Sequence, residues 1–161
     1  MKSATIPEIK KVLSVLEPNE LVELCLRMAK YKKENKELLN YLLFEASDEL
    51  LFLKKVKQEL DELFDELAQS NNYLIKKSLR KILKTTNKHI KYANSKTIEV
   101  DLLLFFCLKM VDKGFSSLTL ALLSAIFESQ FKKIEKAIAT MHEDLQYDYR
   151  IEVEKLRTKF I

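Results

Sequence analysis

Apolar positions recur at intervals of three and four along almost the whole chain, the period of an amphipathic α-helix rather than the alternation of a half-buried strand. The informative features are therefore the interruptions. Thr5 and Glu8 have the spacing of a capping box, which predicts a first helix from about residue 6 with Ile9, Val12, Leu13 and Leu16 on one face. Glu17-Pro18-Asn19 ends it. Proline lacks an amide hydrogen and is best accommodated in a first turn, so a second helix is expected to begin there and carry Leu21, Leu24, Cys25 and Met28. The charged run from Lys30 to Lys36 leads into a third helix striped by Leu38, Leu39, Leu42 and Leu43. Ser47 is an N-cap residue followed by Asp48 and Glu49, whose carboxylates suit the positive end of a helix dipole. It opens a long fourth helix with Leu50, Leu53, Val56, Leu60, Leu63, Phe64 and Leu67 inward, ending at the polar Gln69-Ser70-Asn71-Asn72.

A fifth helix is expected from Tyr73 to about Tyr92, with Ile75, Leu79, Ile82, Leu83 and Ile90 inward and lysines outward. Asn94 and Ser95 divide it from a sixth, about Thr97 to Asp112, which is apolar nearly all round and so belongs at the centre of a fold. Gly114 is placed to cap its C-terminus. A seventh helix starts after Ser116 or Ser117 and carries Phe127, Phe131, Ile134, Ala137, Ile138 and Met141. Thr140 and Glu143 repeat the capping-box spacing. The chain either breaks there or runs on, and an eighth helix after the break would stripe Leu145, Tyr149, Val153, Leu156 and Phe160. Packing of that stripe within the chain is the expectation, with self-association through an uncapped apolar end as the alternative.

About eight helices with short connections place neighbours antiparallel, because a short connection cannot cross over. The expected architecture is an all-α chain of consecutive antiparallel αα-hairpins, in an irregular HEAT-like stack or, alternatively, a compact bundle, over one domain spanning 1–161. No fixed repeat period is present, and the tetratricopeptide pattern is missing. Composition agrees. One glycine, Gly114, and two prolines, Pro7 and Pro18, leave little chain for turns. Hairpin-rich sheets and glycine-lined phosphate loops both need more.

The two cysteines, Cys25 and Cys107, stand in apolar helical patterns without a second Cys or a His at ligand spacing, and both read as buried thiols. Nothing here argues for secretion, the opening MKSATIPEIKKVL lacks a signal-length apolar run, and the longest unbroken apolar stretch is Leu102 to Leu108. A cytoplasmic protein without a membrane span is expected.

Net charge is +4, but it is segregated: +3 over residues 1–33, −6 over 34–69, +8 over 70–98 and −1 over 99–161. The +8 segment holds the sharpest motif. Lys77, Lys81, Lys84, Lys88 and Lys91 advance by four, three, four and three positions and share one helix face, flanked by Lys76 and Arg80. Such a stripe can track a phosphate backbone. Only four of the 28 basic residues are arginine, however, and arginine is the residue that reads phosphate and bases bidentately. The preceding acidic helix is moreover expected to bring Glu59, Asp61, Glu62, Asp65 and Glu66 beside Lys76, Lys77, Arg80 and Lys81 and cancel part of the charge.

His142, Glu143, Asp144, Asp148 and Glu152 contain carboxylates in helical register, but no Glu-x-x-His pair of a helical metal site occurs, so a solvated acidic face is expected and no metal or cofactor. Two histidines, His89 and His142, leave few bases that titrate near neutrality. The expectation is a non-enzymatic interaction or scaffold protein holding a protein partner, with Lys77, Lys81, Lys84, Lys88 and Lys91 as a candidate partner-binding face. The alternative is a nucleic-acid-associated protein using the basic helix around residues 76–91.

Overall fold

The computed structural model describes residues 3–67, 71–115 and 121–160. It is 84% helical, with eight α-helices and no strand among the described residues, so the all-α class holds. The helices are α1 (Ile6–Leu13), α2 (Pro18–Tyr31), α3 (Lys33–Asn40), α4 (Glu49–Asp65), α5 (Asn72–Ala93), α6 (Lys96–Asp112), α7 (Ala121–Ile138) and α8 (Glu143–Phe160), with a π-helical turn at Tyr41–Glu45. The chain divides into two compact units, Met1–Phe44 and Glu45–Ile161.

In the N-terminal unit the expected starts of α1 and α2 hold, whereas α1 ends at Leu13, short of Leu16, and α3 starts inside the charged run at Lys33 and ends at Asn40, leaving Leu42 and Leu43 in the π turn. The Glu8 carboxylate accepts the Thr5 N–H at 2.7 Å and the Thr5 hydroxyl at 2.8 Å. Those two bonds hold the Glu8 carboxyl below the usual carboxylate range. Pro18 occupies the first turn of α2, where the Glu20 carboxylate accepts the Glu17 N–H at 2.9 Å. Lys32 alone, with extended backbone, separates α2 from α3, and the Asn35 side-chain amide donates to the Met28 carbonyl at 2.9 Å across the break.

The C-terminal unit is organised around α6. Apolar on nearly every side, it buries Ile98, Val100, Leu102, Leu103, Leu104, Phe106, Cys107 and Met110, and it packs against α4, α5, α7 and α8. Its ends are well specified. Asn94 closes α5 in the left-handed region at φ +48° and the Ser95 side chain caps α6 by accepting the Ile98 N–H. At the other end Gly114 has φ +78°, its N–H reaches the Val111 carbonyl at 2.8 Å, and the Phe115 N–H reaches Met110 at 3.0 Å. This is a Schellman cap, completed by burial of Phe115 and Met110 together.

Four local expectations need correction. The N-cap of α4 is Asp48, which accepts the Leu51 N–H at 2.9 Å, rather than Ser47. The buried stripe of α4 is Phe52, Val56, Leu60, Phe64 and Leu67, while Leu50 is 81% exposed, because Phe52 lies two positions further round the helix. The chain does break near Thr140, yet the Thr140 hydroxyl donates back to the Ala137 carbonyl at 2.7 Å, so it closes α7 instead of opening α8. Cys107 is fully buried, whereas Cys25 is exposed, since α2 buries none of its residues. The expected start of α7 after Ser116 or Ser117 and the Gln69-Ser70 part of the earlier connection lie outside the described residues.

The last helix packs within its own unit. Val153, Leu156 and Phe160 are buried, and the Phe160 ring stacks on Phe127 at 3.4 Å between centroids and 7° between planes, with Phe131 on the far side of Phe127 at 4.4 Å. Burial also pushes the Cys107 thiol far above its usual range, helped by the Glu128 charge. A thiol reagent added to the dilute native chain should therefore react rapidly with Cys25 alone and reach Cys107 only in denaturant. Equal native rates at both would contradict this core.

Candidate interaction surfaces

Helix α5 presents the lysine stripe. The Asn71 side chain caps it by accepting the Leu74 N–H at 2.9 Å, and Ile75, Leu79, Ile82 and Thr86 form its buried face. At 100° per residue the five lysines fall on the opposite side. Lys77, Lys81, Lys84 and Lys91 are exposed and Lys88 is half-buried. The first four have no ion-pair partner among the described residues.

Two of the five acidic residues of α4, Asp61 and Asp65, go elsewhere than the sequence suggested. Asp61 pairs with Lys109, and Asp65 accepts from Lys113 at 2.9 Å, both on the α6 side. The Lys113 ammonium holds the Asp65 carboxyl below its usual range. Glu59 meets His89 at 2.8 Å, a histidine set edge-on to Phe52 and Tyr92. Chain proximity of α4 and α5 was the right inference. The side on which each charge stands decides the pairing: Asp61 and Asp65 are one turn apart, as are Lys109 and Lys113, so the two rows match, whereas the lysine stripe faces away from the packed side of α5.

The N-terminal unit carries a second surface, which the sequence reading took as core. No residue of α1, α2 or α3 is buried, and Tyr41 in the π turn is the one buried residue described there. Ile6, Val12, Val15, Val22, Met28, Leu42, Leu43 and Phe44 are each more than half exposed. Single exposed apolar residues are ordinary, but so many on α1, α2, the turn after α1 and the π turn make an exposed apolar surface of the kind found at interaction sites. The signal was available in the length: a stretch of about 40 residues without disulfide or metal is too short to bury a core of its own.

A third feature lies between α4, α6 and α8, a cleft of about 230 Å³ bordered by Lys57, Asp101, Phe105, Glu152, Lys155 and Lys159. The Tyr149 hydroxyl donates to Asp101 at 3.2 Å, and Lys57 and Lys109 lie over the Phe105 ring at 5.7 and 5.4 Å. Burial raises the Asp101 carboxyl above its usual range, outweighing the lowering by Lys57 and by the Tyr149 hydrogen bond. Burial also raises Tyr149, as does the Asp101 charge.

His142 is exposed, with Nδ1 3.4 Å from Asp144, and Asp148 and Glu152 are exposed on later turns of α8. No group of three or more His, Cys, Asp or Glu among the described residues is placed to hold a metal ion, and no described helix is long and apolar enough to cross a membrane. Comparison with protein-family models, with curated proteins and with solved structures finds no match to the chain.

The Asp101 environment has a definite sign. A carboxyl raised in the fold contributes its stability below the unfolded pKa and loses it as pH rises through the higher folded value. Asp101→Asn keeps an acceptor for the Tyr149 hydroxyl without the charge. It should raise Tm by a few degrees near pH 7, with the gain vanishing by about pH 3. An equal effect at both pH values in thermal melts would contradict the burial argument.

Proposed function

We propose that this chain is a non-enzymatic helical interaction protein whose N-terminal unit holds a protein partner. The observation that carries the reading is the exposure of apolar side chains on α1, α2 and the π turn, with Val12 60%, Val22 56%, Met28 63% and Phe44 73% exposed. Covering such side chains stabilises a complex by about 25 cal/mol for each Å² of apolar surface removed from water. The reading as a binding module rather than an enzyme is supported by the histidines: one is engaged with Glu59 and the other is exposed beside Asp144. The two free thiols support a cytoplasmic setting, where cysteines stay reduced.

A second reading, nucleic-acid association through Lys77, Lys81, Lys84, Lys88 and Lys91, is favoured by one observation. Asp61 and Asp65 pair with Lys109 and Lys113 on the α6 side, and Lys77, Lys81, Lys84 and Lys91 have no ion-pair partner among the described residues. It ranks second because arginine is scarce: four of the 28 basic residues, and Arg80 alone beside the stripe.

One capture experiment from native lysate ranks the two. The full chain should retain a protein partner after nuclease treatment, Val12→Glu/Val22→Glu should lose it, and Lys81→Glu/Lys84→Glu/Lys88→Glu should keep it. Loss on nuclease treatment or with the lysine variant, and retention with the valine variant, would reverse the order.

A further inference from the structure

Helices α2 and α3 are joined by Lys32 alone, and the angle between them holds an open depression of about 660 Å³. Its floor is apolar: Leu26 and Ala29 come from α2, Leu39 from α3, and Leu43 and Phe44 from the π turn. Leu26 is 49% exposed and Leu43 64%. Its rim is basic. Lys30, Lys32, Lys33 and Lys36 border it, and no described acidic residue does. Lys33 meets Glu37 at 3.7 Å in an exposed pair, while Lys30 and Lys36 have no ion-pair partner among the described residues. Helical geometry agrees with this division. At 100° per residue Val22, Leu26, Ala29 and Lys30 fall within about 100° of one another on α2, so Val22 continues the floor by one turn. On α3, Lys33, Lys36, Leu39 and Asn40 fall within about 120°, with Glu34 on the opposite side. Glu23 shares the Lys30 edge of α2 but stands about 10 Å further along the axis, so the groove is basic at the α2–α3 junction and not along its whole length.

From this arrangement we infer that the N-terminal unit holds an acidic amphipathic helix of another protein, with its apolar face on Leu26, Ala29, Leu39, Leu43 and Phe44 and its carboxylates gathered at the end that meets Lys30, Lys32, Lys33 and Lys36. A helix laid into an apolar groove is a general mode of peptide recognition. Floor and rim select this occupant together. A nucleic-acid backbone would satisfy the lysines and leave the apolar floor uncovered, and a basic helix would cover the floor and be repelled by the rim. An anionic bilayer would satisfy the lysines but presents a flat surface to a floor set in the angle between two helices. The floor supplies the burial, and the rim sets the direction in which the helix lies. The inference rests on the reading that the N-terminal unit holds a protein, and it adds that protein's chemistry.

Fluorescence anisotropy of labelled helical peptides titrated with the full chain tests it. Three peptides share leucines at the three- and four-residue spacing of one helix face, and differ in carrying glutamate, glutamine or lysine beside that face at one end. The glutamate peptide should bind in the micromolar range, and the other two more weakly by about fivefold or more. Lys30→Gln/Lys36→Gln should weaken the glutamate peptide by the same factor and leave the glutamine peptide unchanged, a selectivity that loss of folding cannot imitate. Leu26→Gln/Leu43→Gln, at two exposed positions, should weaken both peptides. A glutamate peptide that binds no tighter than the glutamine one, or that binds either variant as it binds wild type, overturns the inference. So does a wild type that ignores the glutamate peptide and sediments with phosphatidylserine vesicles, because the partner is then a membrane. If the inference fails while Val12→Glu/Val22→Glu still loses a captured protein from lysate, the N-terminal unit holds a protein of other chemistry. If that variant keeps the protein, the reading beneath the inference has failed as well.

Discussion

The C-terminal unit depends on one requirement: α6 is apolar on nearly every side and has to be enclosed. A helix with a single apolar stripe needs one neighbour, whereas the successive residues Leu102, Leu103 and Leu104 point in different directions and each needs a cover. Helices α4, α5, α7 and α8 supply those covers. The polar features of the unit follow from the same enclosure. Asp61 and Asp65 on α4 pair with Lys109 and Lys113 on α6, Tyr149 on α8 reaches Asp101 on α6, and Cys107 is sealed inside. These ion pairs are partly exposed and each adds little to stability. Their larger effect is orientation: matched rows one helical turn apart select which side of α4 meets α6.

The N-terminal unit has the same kind of sequence and the opposite outcome. Its helices are amphipathic, and α1 and α2 open with capping boxes, yet they are short, and none of their residues is buried. Local signals such as the Thr5–Glu8 cap and Pro18 are enough to specify helices. They do not supply the tertiary burial that stabilises most helices in water. The apolar residues left exposed on these helices are what the proposed partner-binding reading rests on.

How much was legible in the sequence follows this division. Boundaries were readable wherever they rest on local chemistry: Pro18, the Asn94–Ser95 junction and Gly114 all act through backbone geometry that a few residues determine. The centrality of α6 was readable because no amphipathic side exists to orient it. What sequence could not supply was the side on which a charge stands relative to a distant helix. The pairing of Asp65 with Lys113, 48 positions apart, was therefore missed in favour of nearby lysines on α5. Periodicity likewise reports that an apolar face exists, not that it is covered within the chain. Cys25 and Leu24 have the same pattern as buried residues and are exposed.

The central claim, that the C-terminal unit holds its own core while the N-terminal unit gains its cover from another molecule, is tested most directly by amide hydrogen exchange at several protein concentrations. Exchange in the core of α6 should be slow and independent of concentration, because it requires opening of the whole C-terminal unit. Exchange in α2 should be fast in dilute protein, because none of its residues is buried. Amides of α2 as slow as those of α6 in the most dilute sample would contradict the account.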